Sequence, residues 1–150
     1  MTYNTQRPHI ASYVIFRNNE GKVAFVMRSN TPWMNGHYSL PAGKVETNET
    51  YLQGAIREAK EEAGVTVSSE HLKHVLTMHR CNKGDQAPEW VDVFFEASEW
   101  EGKVVNAEPN VHSSLDWLDL NNLPDNMLPM IKTAFESIRK GESYVELGWE

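Results

Sequence analysis

The chain has little thiol, a deficit of positive charge and no long apolar run. Cys81 is the one cysteine, so no intrachain disulfide can form, which fits a reducing compartment. Fourteen basic against twenty-one acidic residues give a formal charge of −7, which opposes binding to nucleic acid or an anionic membrane. No stretch reaches membrane-spanning length, and a signal-peptide pattern is absent from the start, MTYNTQRPHI. We therefore expect a soluble, unprocessed cytoplasmic protein with neither a nucleic-acid nor a membrane partner.

Several common site motifs are also missing. There is no P-loop, no G-x-G-x-x-G and no serine-nucleophile elbow, so kinase, dinucleotide-binding and serine-hydrolase functions have no support. The six histidines do not form H-E-x-x-H and no cysteine pair accompanies them, which disfavours zinc. A small phosphorylated ligand remains compatible with the negative charge, because bound divalent cations can supply the positive charge that the chain lacks.

Length and apolar patterning predict one α/β domain over residues 1–150, without internal repeats or a linker. Residues 9–17 and 22–28 are rich in β-branched and aromatic side chains around a turn at 18–21, which predicts a hairpin. Pro, Gly and Asn make 29–36 a surface loop, and 37–40 can resume a short strand.

A helix is predicted from Tyr51, with Asn48 or Thr47 as its cap and Gly64 as its left-handed end. Its apolar stripe is Leu52, Ala55, Ile56, Ala59 and Ala63. Strand-like composition returns at 65–67.

Further strands are predicted at 74–80, at 89–97 and around 115–118. The last helix should begin near Pro129 and stop at Gly141. Its buried stripe is Met130, Ile131, Ala134, Phe135 and Ile138.

Three acidic residues near the end of the first helix are unusual. Glu58, Glu61 and Glu62 share one face, where like charges cost roughly 0.2–0.5 kcal/mol per pair and oppose the helix dipole. A hard divalent cation, Mg²⁺ or Mn²⁺, would offset this repulsion. Taken alone, the segment is more typical of a solvated acidic face than of a metal site.

The wider spacing carries a family resemblance. The fixed positions are Gly43, Glu49, Arg57, Glu58, Glu61, Glu62, Gly64 and the aliphatic Val65. They resemble the Nudix box at every defining position, over about one-sixth of the chain. The L-P-A-G-K-V-E entry and the later N-A-E-P and L-D-W-L-D-L-N-N-L-P segments are similar to MutT-like members, so the resemblance spans most of the chain.

The resemblance implies an α/β/α sandwich with a mixed sheet, in which the box forms a loop–helix–loop catalytic unit. It also implies metal-dependent attack of water on a nucleoside diphosphate linked to another group. A nucleoside triphosphate, intact or modified, would give a monophosphate and pyrophosphate. The alternatives are ADP-ribose, a nucleotide sugar or a dinucleoside polyphosphate, a non-catalytic nucleotide sensor, and an isoprenoid diphosphate isomerase.

By the same resemblance, Glu58 and Glu62 are the leading metal ligands, followed by Glu61 and by the backbone carbonyl of Ala42. Any of the three glutamates could instead be the general base, since metal coordination can itself acidify water. Glu108, in N-A-E-P, resembles the late acidic residue that completes the metal site, although a solvated loop acid is nearly as common. The family pairs Arg57 with Glu49, and these two, with Gly43 and Gly64, are assigned structural roles.

Four further residues are candidates for binding a small nucleotide. Arg28 and Lys44 could contact phosphate oxygens, Trp33 could stack on a base, and Asn126 could read a base edge. Surface solvation is the competing interpretation for both cations, and a turn is the competing interpretation for Asn126. The other tryptophans, Trp90, Trp117 and Trp149 among them, are assigned to packing. The apolar tail 144–149 is compatible with a homodimer or with a tail folded back on its own monomer.

Overall fold

A computed structural model describes residues 5–86 and 88–150, which form two β-sheets and two α-helices. The elements in chain order are β1 His9–Phe16, β2 Val23–Arg28, β3 Tyr38–Ser39, β4 Ala42–Lys44, α1 Tyr51–Ala63, β5 Leu72–Cys81, β6 Glu89–Ala97, β7 His112–Leu118, α2 Pro129–Arg139 and β8 Tyr144–Leu147. The larger sheet has the order β4-β1-β6-β5-β8 and is mixed, because β1 runs parallel to β6 and antiparallel to β4. The smaller sheet, β3-β2-β7, is antiparallel.

The helices cover opposite sides of the sheets, as alternation along β1 shows. Ala11, Tyr13 and Ile15 belong to the apolar cluster that contains α2. Val14 and Phe16 belong to the cluster that contains α1. Because successive side chains of a strand point to opposite faces, β1 separates two cores and the predicted α/β/α sandwich is confirmed. In the described parts of the chain, no helix is long and apolar enough to cross a membrane.

Most of the predicted elements are present. The first helix spans Tyr51–Ala63, and Gly64 ends it with a φ of 73°. The second helix begins at Pro129, and Gly141, with a φ of 77°, lies two residues beyond its end. The strands predicted at 74–80, 89–97 and around 115–118 lie within β5, β6 and β7, whereas β3 is shorter than the strand predicted at 37–40. Residues 29–36 form the expected loop.

The predicted hairpin of β1 and β2 is wrong. The two strands are joined only at their base, by a single bridge between Arg17 and Val23 and a 2.9 Å hydrogen bond from Asn18 N to Lys22 O. Beyond it, β4 and β6 occupy both edges of β1, while β2 pairs with β3 and β7. Both strands are central and apolar on both faces, so local turn chemistry does not decide their partners.

The predicted cap of α1 is also wrong, because Thr50 caps the helix. Its hydroxyl accepts from Gln53 N at 3.0 Å, and the Gln53 side chain accepts from Thr50 N at 2.8 Å. Asn48 has a φ of 65° and lies in the preceding turn. Residues 65–67 likewise form no strand, since Thr66 makes one isolated bridge with Glu101.

Replacing Thr50 by Ala is expected to lower the free energy of unfolding by about 1 kcal/mol, because two amide N–H groups lose their capping arrangement. Thr47→Ala is the matched control. This exposed threonine lies outside the cap, so its change should stay within about 0.5 kcal/mol. Urea denaturation of both variants measures the difference, and equal losses would contradict the capping assignment.

The tail folds back on its own chain as the edge strand β8, which sequence analysis did not predict as a strand. It pairs in parallel with β5, in a register from Thr77 opposite Tyr144 to Arg80 opposite Leu147. Beyond it, Trp149 Nε1 donates to His79 O at 3.0 Å. The tail therefore covers an edge that would otherwise present unpaired backbone groups.

Candidate functional site

The box segment, residues 43–65, runs from β4 through a turn into α1, and its first glycine, Gly43, is required by close packing. β4 passes beside the buried Glu58 carboxylate, and a Cβ on Gly43 would lie 2.7 Å from Glu58 Oε2 and closer to the rest of the group. Pairing with β1, with Ser12 opposite Gly43, fixes the strand in that position. Any larger residue would displace the carboxylate or the strand.

Arg57 ties the turn to the helix. Its Nε donates to Glu49 Oε2 at 2.7 Å and its Nη2 to Glu49 Oε1 at 2.9 Å, which forms the expected ion pair in bidentate geometry. The Nη1 group reaches Glu58 Oε1 at 2.6 Å and Glu61 Oε2 at 3.2 Å, and Nη2 also donates to Lys44 O at 3.0 Å. The Arg57 side chain holds the pKa of Glu49 below its usual value.

Glu58 is a buried acid with an incompletely compensated charge. The residue is 6% exposed, and burial raises its pKa although Arg57 acts in the opposite direction. The negative charges of Glu61 and Glu108 raise it further. Glu61 itself is exposed, at 47% of its side chain.

Glu62 lies in the last turn of α1 and lines a cavity. Its Oε2 accepts a 2.8 Å hydrogen bond from Ala42 N. Burial raises its pKa well above the usual value, and Glu58 and Glu108 raise it further, whereas the Ala42 hydrogen bond lowers it. The carboxylates of helix and loop are therefore close enough to repel one another.

Glu108 lies in the segment between β6 and β7, which is hydrogen-bonded to the C-terminal end of α1. Val105 N donates to Ala63 O at 3.0 Å, and Ala107 N donates to Glu62 O at 3.1 Å. These bonds satisfy carbonyls that the helix end would otherwise leave free. The amide of His112 donates to Glu108 O at 3.0 Å, which fixes the loop against β7.

The donor chemistry of this cluster suits a hard divalent cation. Carboxylate oxygens are what Mg²⁺ and Mn²⁺ prefer, and a cation would offset the burial and the repulsion that together raise the pKa values of Glu58 and Glu62. Within residues 5–86 and 88–150, no three His, Cys, Asp or Glu side chains converge at ligand distances. Arg57 and the amide of Ala42 hold carboxylate oxygens of the cluster.

A cavity of about 400 Å³ opens beside the cluster. The residues from the sequence prediction that line it are Arg28, Trp33, Ala42, Gly43, Lys44 and Glu62. Its size and its mostly apolar wall are typical of a site for a small organic ligand.

Cations of the cavity wall lie over tryptophan rings. The Arg28 guanidinium is 5.3 Å from the centroid of Trp33, and its Nε donates to Trp33 O at 2.9 Å. Lys44 Nζ is 5.6 Å from the centroid of Trp90. Burial lowers the pKa of Arg28, whereas the charges of Tyr13 and Glu62 raise it. The cavity therefore combines flat surfaces with positive charge.

Asn126 has a different immediate environment. Its side-chain Nδ2 donates to Gly36 O at 3.0 Å, and its backbone carbonyl accepts from Tyr38 N at 2.9 Å. These bonds tie the 29–36 loop to the segment before α2. Reading of a base edge by Asn126 stays a prediction.

Other residues of the cavity wall were not predicted from the sequence, among them Trp90, Arg80 and His112. Arg80 forms a buried bidentate pair with Asp92, at 2.7 and 3.2 Å, and lies 5.3 Å from the ring of Trp90. The available signal was Asp92 within the apolar run of β6, because a buried charge requires a partner. Trp90, assigned to packing, lies at the cavity.

His112 is 4% exposed, and its Nδ1 has no hydrogen-bond partner in the described part of the chain. Burial, and after it the charge of Arg28, lowers its pKa to about 4. The imidazole is therefore neutral at physiological pH.

We expect the parent protein to lose stability relative to a His112→Phe variant as the pH falls from about 6.5 to about 4. The unfolded imidazole takes up a proton near pH 6.5, whereas the folded one resists protonation down to about pH 4, so the unfolded state binds more protons in this window. The difference in unfolding free energy should change by up to about 3 kcal/mol. Urea denaturation at pH 7, 5.5 and 4.5 tests this, and a constant difference would contradict it.

Comparisons with known proteins agree with this geometry. The NUDIX domain family model matches residues 7–140. The chain is 28% identical over 111 residues to the uncharacterized Nudix hydrolase YvcI of Bacillus subtilis, covering 74% of this chain and 65% of that protein. It is 27% identical to the 8-oxo-dGTP diphosphatase of Escherichia coli, covering 78% and 88%. It is 28% identical to the ADP-ribose pyrophosphatase of Methanocaldococcus jannaschii, covering 70% and 59%.

Solved structures share the fold. The crystal structure of a MutT NUDIX hydrolase from Burkholderia pseudomallei superposes with a TM-score of 0.78 at 23% identity, covering 87% of this chain and 98% of that one. The chain spans less than two thirds of the length of several curated relatives. With the family model matched over most of its length and the box folded as loop, helix and loop, the chain belongs to the Nudix family.

Proposed function

We propose that the protein is a metal-dependent hydrolase that cleaves a phosphate–phosphate bond in a nucleoside diphosphate linked to another group. The leading substrate class is a nucleoside triphosphate, intact or modified, which gives a monophosphate and pyrophosphate. One observation carries this proposal: Glu58 and Glu62, whose pKa values are raised by burial, lie beside a cavity lined by aromatic rings and cations. The similarity to the E. coli 8-oxo-dGTP diphosphatase supports it.

The proposed cofactor is Mg²⁺, with Mn²⁺ as a substitute, held by Glu58, Glu61, Glu62, Glu108 and the carbonyl of Ala42. When bound, the cation supplies orientation of the attacking water and neutralisation of charge on the phosphate oxygens. Burial of Glu58 and Glu62, and their repulsion by neighbouring acidic side chains, favour uptake of positive charge.

Glu58, Glu61 and Glu62 are also the proposed catalytic acids and bases. A carboxylate with a raised pKa accepts a proton from water more readily than an ordinary one. Glu62 lines the cavity, so among the three it is closest to where a substrate would bind. Arg57 and Glu49 hold the turn against the helix, an arrangement that keeps these carboxylates in a fixed geometry.

The proposed substrate contacts follow the cavity wall. Arg28 and Lys44 bind phosphate oxygens, because each carries a positive charge into the cavity beside Glu62 or Gly43. Trp33, 44% exposed, offers a face on which a base can stack. Asn126 reads the base edge only if its amide leaves Gly36.

ADP-ribose or a nucleotide sugar is the second candidate substrate. It is favoured by the similarity to the M. jannaschii ADP-ribose pyrophosphatase. A non-catalytic nucleotide sensor is the third candidate, and the presence of all three box glutamates speaks against it.

We also make proposals for the cellular location, domain organisation and oligomeric state of the protein. We place the protein in the cytoplasm, as a single Nudix domain over residues 1–150 that acts on small nucleotides. The solitary Cys81 and the charge of −7 support this setting. A homodimer is proposed only as an alternative to a monomer, since β8 uses much of the apolar tail within the chain.

The test is analysis of all phosphorylated products formed from a nucleotide panel, with Mg²⁺, with Mn²⁺ and with EDTA. Triphosphates are followed by pyrophosphate release, whereas ADP-ribose and nucleotide sugars are followed by the nucleoside monophosphate that they yield. The panel contains the four deoxynucleoside triphosphates, an 8-oxo-purine triphosphate, ADP-ribose and a nucleotide sugar. Selective turnover that EDTA abolishes supports hydrolysis and names the substrate class. Tight binding without release from any member would favour the sensor.

A further inference from the structure

The loop of residues 29–36 holds a strained backbone conformation at the cavity. Asn30 has a φ of 52° and Met34 a φ of 51°, in the left-handed region that residues other than glycine seldom adopt. Strained backbone persists only where surrounding contacts hold it, and it is concentrated at functional sites. Pro32 and Trp33 of this loop line the cavity. The contacts that fix the loop therefore bear on the shape of the cavity.

The Thr31 hydroxyl lies at the centre of these contacts. It accepts from Arg28 Nη2 at 3.2 Å, and it lies 2.9 Å from Trp33 O and 2.6 Å from Asn35 Oδ1, to either of which it can donate. The Asn35 side chain also bonds to the backbone of Thr31, because its Oδ1 accepts from Thr31 N at 3.0 Å and its Nδ2 donates to Thr31 O at 2.8 Å. The hydroxyl thus joins a cation of the cavity to the backbone of the loop.

Arg28 is held in one orientation by the same contacts. Its Nε donates to Trp33 O at 2.9 Å and its Nη2 donates to Thr31 Oγ1, so two of its nitrogens are fixed by the loop. Neither bond uses Nη1, and Arg28 lines the cavity. An arginine side chain otherwise samples many rotamers, and ordering it opposes the binding of a ligand. Contacts that order Arg28 in advance therefore favour the binding of an anion.

A purely structural role for Thr31 is the competing interpretation. Its bonds to Trp33 and Asn35 lie at the surface, where hydrogen bonds contribute modestly to folding. The two roles differ in what a substitution changes. A structural residue affects the stability of the fold, whereas a residue that positions Arg28 affects the affinity for a phosphate ligand, and does so only while Arg28 is present.

We propose that Thr31 is a positioning residue, which holds the Arg28 guanidinium in place for the phosphate oxygens of the substrate. This inference rests on the proposed nucleotide hydrolase function, in which Arg28 binds phosphate. It is independent of the substrate class, because nucleoside triphosphates and ADP-ribose share a diphosphate group.

The test is a double-mutant cycle with Thr31→Val, Arg28→Met and the double variant. We would measure kcat and KM for the best nucleotide of the panel, and equilibrium binding of the α,β-methylene analogues of dGTP and ADP-ribose with Mg²⁺. Thr31→Val should raise KM and both dissociation constants by about ten-fold and change kcat by less than about two-fold, because binding common to the ground and transition states is lost. In the Arg28→Met background, the same change should have less than about a two-fold effect.

Further variants separate the hydroxyl from the rest of the side chain. Thr31→Ser keeps the hydroxyl and should restore most of the parent affinity, whereas Thr31→Ala is a second variant without it. Thr133→Val is the matched control, because its half-buried threonine lies in α2 away from the cavity wall and its hydroxyl bonds to Pro129 O at 3.2 Å. It should leave KM unchanged. Urea denaturation shows that the variants compared are folded.

The outcomes separate this inference from the proposed function. Turnover with a KM that Thr31→Val leaves unchanged, or raises equally with and without Arg28, would overturn the inference and leave the hydrolase intact. Loss of analogue binding that depends on Arg28, without turnover of any panel member, would support the positioning role and contradict hydrolysis. A parent protein that neither turns over the panel nor binds either analogue would overturn both.

Discussion

Replacing Glu62 by Gln is expected to lower kcat/KM for the best nucleotide by about 100-fold or more, while the metal-free protein becomes no less stable. The amide keeps the shape of the side chain, and its oxygen can still accept from Ala42 N. It loses the negative charge that a cation and a proton require. It also removes a charge that burial disfavours and that Glu58 and Glu108 repel, and both effects raise the pKa of Glu62. Loss of activity without loss of stability is the pattern of a residue retained for function.

The measurement is pyrophosphate release with Mg²⁺, together with urea denaturation in EDTA. Glu142→Gln changes the net charge equally at an exposed position outside the site, so it should leave both quantities nearly unchanged. Undiminished activity in Glu62→Gln would remove this glutamate from the proposed metal and proton chemistry.

How far the sequence predicts the fold depends on whether an element is defined locally. The first helix, with its alanine stripe and Gly64, is encoded by neighbouring residues and has the predicted bounds at Tyr51–Ala63. The hairpin prediction failed because the partners of β1 are separated from it in sequence and are chosen by burial of both its faces. β8 was missed for a related reason. Four residues of mixed character become a strand because β5 offers a free edge.

The same distinction between local and long-range determinants applies to the site. Spacing along one helix was enough to group Glu58, Glu61 and Glu62, since helix geometry is fixed. Trp90 and His112 reach the cavity from β6 and β7, and their positions in its wall depend on strand registers that a single sequence does not specify. A single charged residue in an apolar run, Asp92, was the readable sign of a buried pair.

Gly43→Ala is the second change with a large expected effect, on stability and on activity together. The added methyl group would overlap the Glu58 carboxylate, and neither side can yield easily. Glu58 is held by Arg57, and β4 is held by β1, including a 2.8 Å bond from Val45 N to Ile10 O. We expect a loss of about 1–3 kcal/mol in unfolding free energy, as for overpacking in a core, and about a 100-fold loss in kcat/KM.

Gly21→Ala is the control for destabilisation alone. Its φ of 79° strains an alanine, yet no atom lies within 4 Å of the added methyl group, and the residue lies in the turn between β1 and β2. Folded Gly21→Ala protein should therefore keep its activity while losing about 1 kcal/mol of stability. Activity lost in proportion to stability in both variants would show that Gly43 has no special relation to the site.

A double variant separates steric overlap from other effects at Gly43. If the methyl group acts by displacing the Glu58 carboxylate, shortening that side chain removes the conflict, and Gly43→Ala should cost much less stability in a Glu58→Ala background. The coupling free energy between the two positions should then reach about 1 kcal/mol or more, because residues in contact do not behave additively. Activity should stay low in the double variant, since the carboxylate is gone. Additive stability losses would instead mean that alanine disturbs β4 itself, and the close approach of Glu58 would not be the reason for a glycine at position 43.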